Sequence, residues 1–440
     1  MRNRWVILAV LFAVRLTMGF QFQSVAAVAP LLGRDFGVGL ADIGILIGLY
    51  FTPGVALALP GAAIGQRFGD KRTVLAALML MLIGCLAMAL SDSWTVQIAG
   101  RLIAGSGGVL LNVQMTKMVA DWFAGREIAT AMAIFVNSWP AGVAIALLTL
   151  PSVGTAYGVS AVYLAVAALI GAAFVLLAAV YQPSANSVTT TTTSVRLDRN
   201  AAVAVIAAGL IWGLYNVGFA MIFSFGPSML VERGWSIAAA GSTISIVLWL
   251  AAVSVPLGGF LADRTKRPQF ILVGGCVVFA ILMVALPRSG AVVSTVAALG
   301  LVSGLAAGPI LSLPARVLQP ATRAIGMGAF FTLYYACMML GPVVAGACAK
   351  WTGSAAAAFD FGALMMLACP LILWGFNRIP ALVPKPAWSA PPTTLANSSL
   401  TLSAVGSGDT EQPVVGWRRW RWRTKDRYFR PPKNAAAFSG

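Results

Sequence analysis

The chain has 440 residues, 59% of them hydrophobic and only 10% charged, with a formal net charge of +17. Soluble globular proteins carry about 25% charged residues, so the solvent of this chain is mostly lipid. Histidine is absent, and the five cysteines all fall in apolar runs without a CxxC-type spacing. That leaves no disulfide framework and no metal or cofactor motif, and it removes the commonest general base, so enzyme chemistry is not expected.

In chain order, apolar runs of the roughly 20 residues needed to cross a bilayer lie near 5–33, 41–65, 73–91, 94–119, 127–150 and 157–181. Six more lie near 201–231, 236–261, 269–287, 291–318, 324–350 and 354–378. Runs this long and continuously apolar are not barrel strands. The sequence therefore predicts an all-α membrane protein of twelve transmembrane helices. The first run follows MRNR and ends near AAVA, the outline of a signal peptide, but an arginine within it and the eleven further runs argue against cleavage.

With both termini on the cytoplasmic side, fourteen basic residues fall on inner segments: Arg2, Arg4, Arg67, Lys71, Arg72, Arg126, Arg196, Arg199, Arg264, Lys266, Arg267, Arg316, Arg323 and Arg378. Outer loops hold four, namely Arg34, Arg233, Arg288 and Lys350. This asymmetry predicts a bacterial-type inner membrane protein with cytoplasmic termini.

The domain boundaries expected are an N-terminal six-helix half at 1–181, a polar linker at 182–200 (QPSANSVTTTTTSVRLDRN), a C-terminal half at 201–380 and a tail at 381–440. An offset of 197 maps Pro30 onto Pro227, Gly61 onto Gly258 and Arg67 onto Arg264, while an offset of 195 maps Phe135 onto Phe330. Such agreement predicts two pseudo-symmetric halves around a central cavity, the arrangement carriers use to rock about a site.

Charges at membrane depth narrow the site. Arg15 lies roughly 15 Å into helix 1, the midplane of a bilayer. Of the 13 acids only Asp360, in the outer third of the last helix, is a candidate for embedding. A midplane cation without a fixed carboxylate suits a mobile anion, which a guanidinium fork grips in a bidentate manner; the alternative is an arginine that caps backbone carbonyls at a kink. By the 197 offset Trp212 occupies the place of Arg15, with Tyr215 and Asn216 next to it, so a cation faces an aromatic wall. The expected substrate contacts are Arg15, Tyr215, Asn216, Tyr334, Gln23, Asn137 and Trp212. Gln21, Tyr50, Thr52, Asn112, Gln114, Trp249 and Tyr335 are further groups near that depth. Gln21 and Gln23 are two residues apart and point to different faces, so at most one joins Arg15.

The loops carry motifs. GAAIGQRFGDKRT stands between the second and third runs, and GGFLADRTKRP stands at the matching place in the second half. Both resemble the cytoplasmic signature of the major facilitator superfamily. The second copy keeps Gly259, Asp263 and Arg264. The first has Gln66 where the family has aspartate, followed by Arg67, Phe68, Gly69, Lys71 and Arg72. The resemblance implies that Arg67, Arg72, Gly259, Asp263 and Arg264 latch one state of a transport cycle, and Gln66 removes the ionic part of that latch in the first half.

Arg101 with Gly105, Gly107 and Gly108 resembles the fourth-helix motif of the same family. Arg101 either takes part in gating or snorkels to the outer interface, and the glycines serve close helix approach. NSWPAG and LGPVVAG place Pro140 and Pro342 in the fifth and eleventh helices, loosening them locally. Within the family the layout looks most like the small-anion, cyanate-permease-like group.

The expected function is secondary or facilitative transport of a small organic or inorganic anion by alternating access, as a monomer in the bilayer, with no nucleic-acid partner. An exporter of amphipathic or cationic drugs and a transporter-like sensor are the alternatives. The tail, with GWRRWRWRTKDRYFRPP, is expected to be a disordered cytoplasmic extension resting on anionic headgroups.

Overall fold

The computed structural model describes residues 4–58, 60–123, 127–182, 197–318 and 322–379. Most of the linker, the tail, Arg126 and the side chain of Gln66 lie outside the described residues.

Twelve helical spans follow one another. α1 runs Arg4–Ala27 and continues as Ala29–Phe36; α2 is built of Leu40–Leu49, Thr52–Leu57 and Pro60–Phe68; α3 is Asp70–Ala89; α4 is Trp94–Trp122. One helical stretch then carries two spans. Ile128–Val136 passes through Asn137 into Ser138–Val180, but Gly158 (φ 85°, ψ 174°) breaks the path, so α5 ends and α6 begins there. That backbone region excludes side chains with a Cβ, and glycine is what permits the reversal. α7 (Arg199–Glu232), α8 (Ile237–Thr265), α9 (Pro268–Ala285), α10 (Val292–Ser303 with Ala307–Leu311), α11 (Arg323–Thr352) and α12 (Ala356–Phe376) complete the chain.

Lysine, arginine and carboxylate side chains gather where the spans end. On one face, here the basic face, Arg4 pairs with Glu127 (2.8 Å), and Lys117 on α4 bridges Asp70 (2.6 Å) at the start of α3 and Asp121 (3.1 Å). Lys71 Nζ donates to the carbonyls of Ala178 and Tyr181, capping the end of α6. On the opposite face Glu232 accepts from Ser354 Oγ and the Ala355 amide at the start of α12. Asp360, expected to be embedded, sits there half-exposed in a two-pronged pair with Arg288 (2.8 and 2.9 Å). It is one turn into its helix, within reach of the loop after α9.

The halves meet through small residues, because lipid supplies no hydrophobic drive between helices and close backbone approach supplies the packing. A Cβ added at Gly44 or Gly48 of α2 would meet the carbonyl of Pro342 or Met339 on α11, and one at Gly241 of α8 would meet the Leu147 carbonyl on α5. These contacts all lie between the middle of the bundle and the opposite face.

Candidate functional site

At mid-depth a cavity of about 180 Å³ is lined by both halves. The N-terminal half contributes Arg15, Met18, Phe51, Asn112, Asn137 and Trp139; the C-terminal half contributes Trp212, Tyr215, Asn216, Phe219, Tyr334 and Tyr335. Six of the seven expected contacts are therefore brought together. Helical spacing explains the α1 lining, since Arg15 and Met18 are one turn apart on one face.

Gln23 is the correction. It lies two-ninths of a turn away from the Arg15 line and is fully buried, donating from Nε2 to the Phe223 carbonyl (2.6 Å) across the interface between the halves. Gln21 does not join Arg15 either, as its Nε2 donates to the Met81 carbonyl (2.8 Å). Trp249, placed near the site by depth alone, is exposed on the outside of α8.

Above the cavity, toward the opposite face, Phe22, Phe51, Trp139 and Phe223 form an aromatic roof. Ring centroids are 5.0 Å apart for Phe22–Phe51, 5.6 Å for Phe22–Trp139, 6.1 Å for Phe22–Phe223 and 5.8 Å for Trp139–Phe223.

Arg15 is held by neutral groups. Pro140 has no N–H, so the Val136 carbonyl four residues earlier loses its helical donor. Arg15 Nη1 fills the gap, donating to Val136 O (3.0 Å), Phe135 O (3.0 Å) and Ser138 Oγ (3.2 Å). Its Nε donates to Asn112 Oδ1 (3.1 Å), and the guanidinium carbon lies 4.8 Å from the Phe135 ring centroid. Among the described residues no carboxylate lies within ion-pair distance of Arg15, and Nη2 makes no hydrogen bond. One geometry combines two features: Arg15 caps the kink, and it borders the cavity with no carboxylate partner among the described residues.

The facing wall is aromatic. Trp212 stacks on Tyr215 (5.8 Å, 21°) and lies 6.3 Å from Tyr334. The Tyr215 hydroxyl donates to the Ser303 carbonyl, Asn216 Nδ2 to Trp212 O (2.7 Å) and Asn137 Nδ2 to Ala133 O (3.1 Å). Asn112 Nδ2 donates to Tyr335 Oη (3.1 Å). Asn112 and Tyr335 line the cavity, and sequence depth places them near it. Their pairing across the halves carries no sequence signal.

Arg101 is elsewhere. It is 1% exposed, which rules out snorkelling. Its Nε donates to Leu46 O (3.0 Å), Nη1 to Gln21 O (3.1 Å) and Nη2 to Phe22 O (2.7 Å), with the Tyr50 ring centroid 4.6 Å from its guanidinium carbon. Gly105 lets α4 close on this cage, where a Cβ would strike the Tyr50 carbonyl. Arg67, Arg72, Asp263 and Arg264 are exposed on the basic face and form no ion pair among the described residues. Gly259 has open space for a Cβ, and the tight contact belongs to its neighbour Gly258, against Leu305.

Twelve spans in two halves around a central two-walled cavity define a membrane carrier, not an enzyme. The chain belongs to the Major Facilitator Superfamily, whose sequence profile matches residues 11–342 and 204–424. It is similar to the cyanate transport protein CynX of Escherichia coli, 25% identical over 268 residues that make up 60% of this chain and 69% of that protein. The nitrate/nitrite transporter NrtP of Nostoc punctiforme is 25% identical over 39% of this chain and 36% of its own length. Azole resistance protein 1 of Saccharomyces cerevisiae is 33% identical over 24% of this chain, but the match spans only 17% of that protein. The fold matches the crystal structure of a D-xylose-proton symporter with a TM-score of 0.71 at 15% identity, covering 85% of this chain and 98% of that one.

Proposed function

We propose that the protein moves a small anion by alternating access, with Arg15 as the anchor. The observation that carries this is the cation itself, which borders the cavity with neutral acceptors around it and one nitrogen unspent. Leaving such a charge in a low-dielectric site is costly, and a bound anion offsets that cost. The aromatic wall of Trp212, Tyr215 and Tyr334 suits a planar or apolar body behind the charged group. Relatives whose names carry cyanate, nitrate/nitrite and hexuronate support an anionic substrate.

The moving bodies are residues 1–181 and 201–380, joined by the linker at 182–200. Roof and cross-half packing lie toward the opposite face, so this state is open toward the basic face. The positive-inside asymmetry makes that face cytoplasmic, in a bacterial-type inner membrane with both termini inside. The latch residues Arg67, Arg72, Asp263 and Arg264 then engage when the basic face closes. The carrier works as a monomer, with the Trp/Arg-rich tail resting on anionic headgroups.

The test is a thermal-shift screen of carboxylates, cyanate, nitrate and nitrite on purified protein, repeated with Arg15→Ala. A stabilising anion that no longer stabilises the variant is expected; equal stabilisation of both proteins refutes the anchor. A second reading, export of amphipathic compounds, draws on the aromatic wall and the azole-resistance relative. Resistance assays in a pump-deficient host separate the two.

A further inference from the structure

The cation in the cavity is wired to the other half of the molecule. Asn112 on α4 accepts from Arg15 Nε through Oδ1 (3.1 Å) and donates through Nδ2 to Tyr335 Oη on α11 (3.1 Å). One amide therefore links α1, α4 and α11. At the level of the cavity it is the side-chain bridge between the halves; the other described cross-half hydrogen bond, from Gln23 to Phe223, lies in the roof.

Guanidinium geometry decides where an anion can bind. A planar oxyanion takes two parallel N–H bonds, along either the Nη1–Nη2 edge or the Nε–Nη2 edge. Nη1 is committed to two backbone carbonyls and a hydroxyl at the Pro140 break, and releasing it would strand the Val136 carbonyl. The Nε–Nη2 edge is held by a single contact, Asn112 Oδ1, because Nη2 bonds to none of the described residues. A bidentate anion enters along that edge, and it does so by displacing Asn112.

Resting on the Arg15 reading above, we propose that Asn112 couples occupancy to movement. The anion replaces Oδ1 on Arg15 Nε, the amide turns its Nδ2 to an anion oxygen, and the link to Tyr335 is released. In the empty carrier the link holds the halves in the observed state, and in the loaded carrier they are free to rock. The physical consequence is a carrier that returns slowly when empty and quickly when loaded, which favours exchange over net flux. No proton-binding carboxylate is needed at the site for this coupling, and none faces Arg15 among the described residues.

The test measures movement rather than transport. Phe68 and Phe270 are exposed on the basic face, one in each half. Spin labels carried by genetically encoded keto amino acids at positions 68 and 270 leave the native cysteines untouched, and pulsed EPR then reads the distance between the halves. In ligand-free protein, Asn112→Ala and Tyr335→Phe are expected to raise the short-distance population by about 2- to 12-fold, the ratio that loss of one net hydrogen bond produces. Tyr335→Phe keeps the ring in its contact with Phe51 and serves where Asn112→Ala folds poorly. Benzoate, a planar monocarboxylate probe, is expected to produce the same shift in the parent protein and no further shift in either variant. Ligand-free distributions that match the parent in both variants overturn the proposal, whatever benzoate does. An unresponsive parent with shifted ligand-free variants instead counts against benzoate at Arg15 and leaves the bridge supported.

Discussion

Two arginines of the N-terminal half sit deep in the bundle, and the comparison between them sets a fully spent charge beside one with a donor left over. Arg101 spends all three nitrogens on the carbonyls of Leu46, Gln21 and Phe22 and lies against Tyr50, with 1% of its surface exposed. Arg15 spends two nitrogens, its Nη2 bonds to none of the described residues, and its side chain lines the cavity. Burial is greater for the residue that offers nothing to a ligand. What distinguishes Arg15 is a donor that remains, on a side chain lining a cavity shared by the two halves.

The comparison is broken most severely by exchanging the consequences. Arg15→Ala should lower anion affinity by about 100-fold, the weight of about 2.7 kcal/mol, while thermal unfolding shifts modestly. Arg15→Lys, with one charge but no fork, should fall between. Affinity by isothermal titration and unfolding by scanning fluorimetry read the two effects separately. Arg101→Leu should do the reverse, with a stability loss of about 3 kcal/mol as hydrogen bonds to a charged donor vanish from three carbonyls. If Arg101→Leu instead loses affinity at full stability, the division between the two arginines fails.

How much of this was legible in the sequence follows the same division. All twelve spans were readable, because apolar run length is dictated by bilayer thickness, although the ends of α5 and α10 fell about seven residues from their expected positions. Arg15, Trp212 and Tyr215 were placed at the cavity by depth and by the internal offset. Depth alone misplaced Gln23 and Trp249: it gives height in the membrane but not the direction in which a helix faces. Whether Arg101 gates or snorkels stayed open in the sequence because its acceptors are backbone carbonyls, which every sequence has and none advertises. The Lys117–Asp70–Asp121 cluster was missed for a different reason, since pairing across two helix ends needs the interhelical packing.

A smaller effect tests the roof that separates the two arginines' surroundings from the opposite face. Gly48 packs against the Met339 carbonyl with no room for a Cβ. Gly48→Leu should wedge α2 from α11 and populate a state open to the opposite face, even though Arg15 and its contacts are untouched. Accessibility of a cysteine placed at Phe223 in the roof, measured from the opposite face, should rise severalfold. Unchanged accessibility would mean that the halves do not separate along this seam.

The smallest effect lies on the wall opposite Arg15, where the C-terminal half has solved the same backbone problem with a neutral group. After Ser303 the helix is interrupted and the Ala307 amide turns to Gly304 O, so the Ser303 carbonyl takes the Tyr215 hydroxyl instead. Val136 takes Arg15 for a similar reason. The Tyr215 hydroxyl is thereby spent, as the donors of Arg101 are, whereas the Tyr334 hydroxyl borders the cavity without a hydrogen bond among the described residues. Tyr215→Phe should therefore cost about 1 kcal/mol of stability and change anion affinity by less than about threefold, since an unsatisfied carbonyl is not a lost ligand contact. Tyr334→Phe should leave stability alone and weaken the anion by about 3- to 10-fold, the weight of one hydrogen bond. Titration of both variants with the same anion decides it: an affinity loss in Tyr215→Phe larger than that in Tyr334→Phe would mean that the hydroxyl leaves Ser303 for the substrate, and that a satisfied donor can be recruited after all.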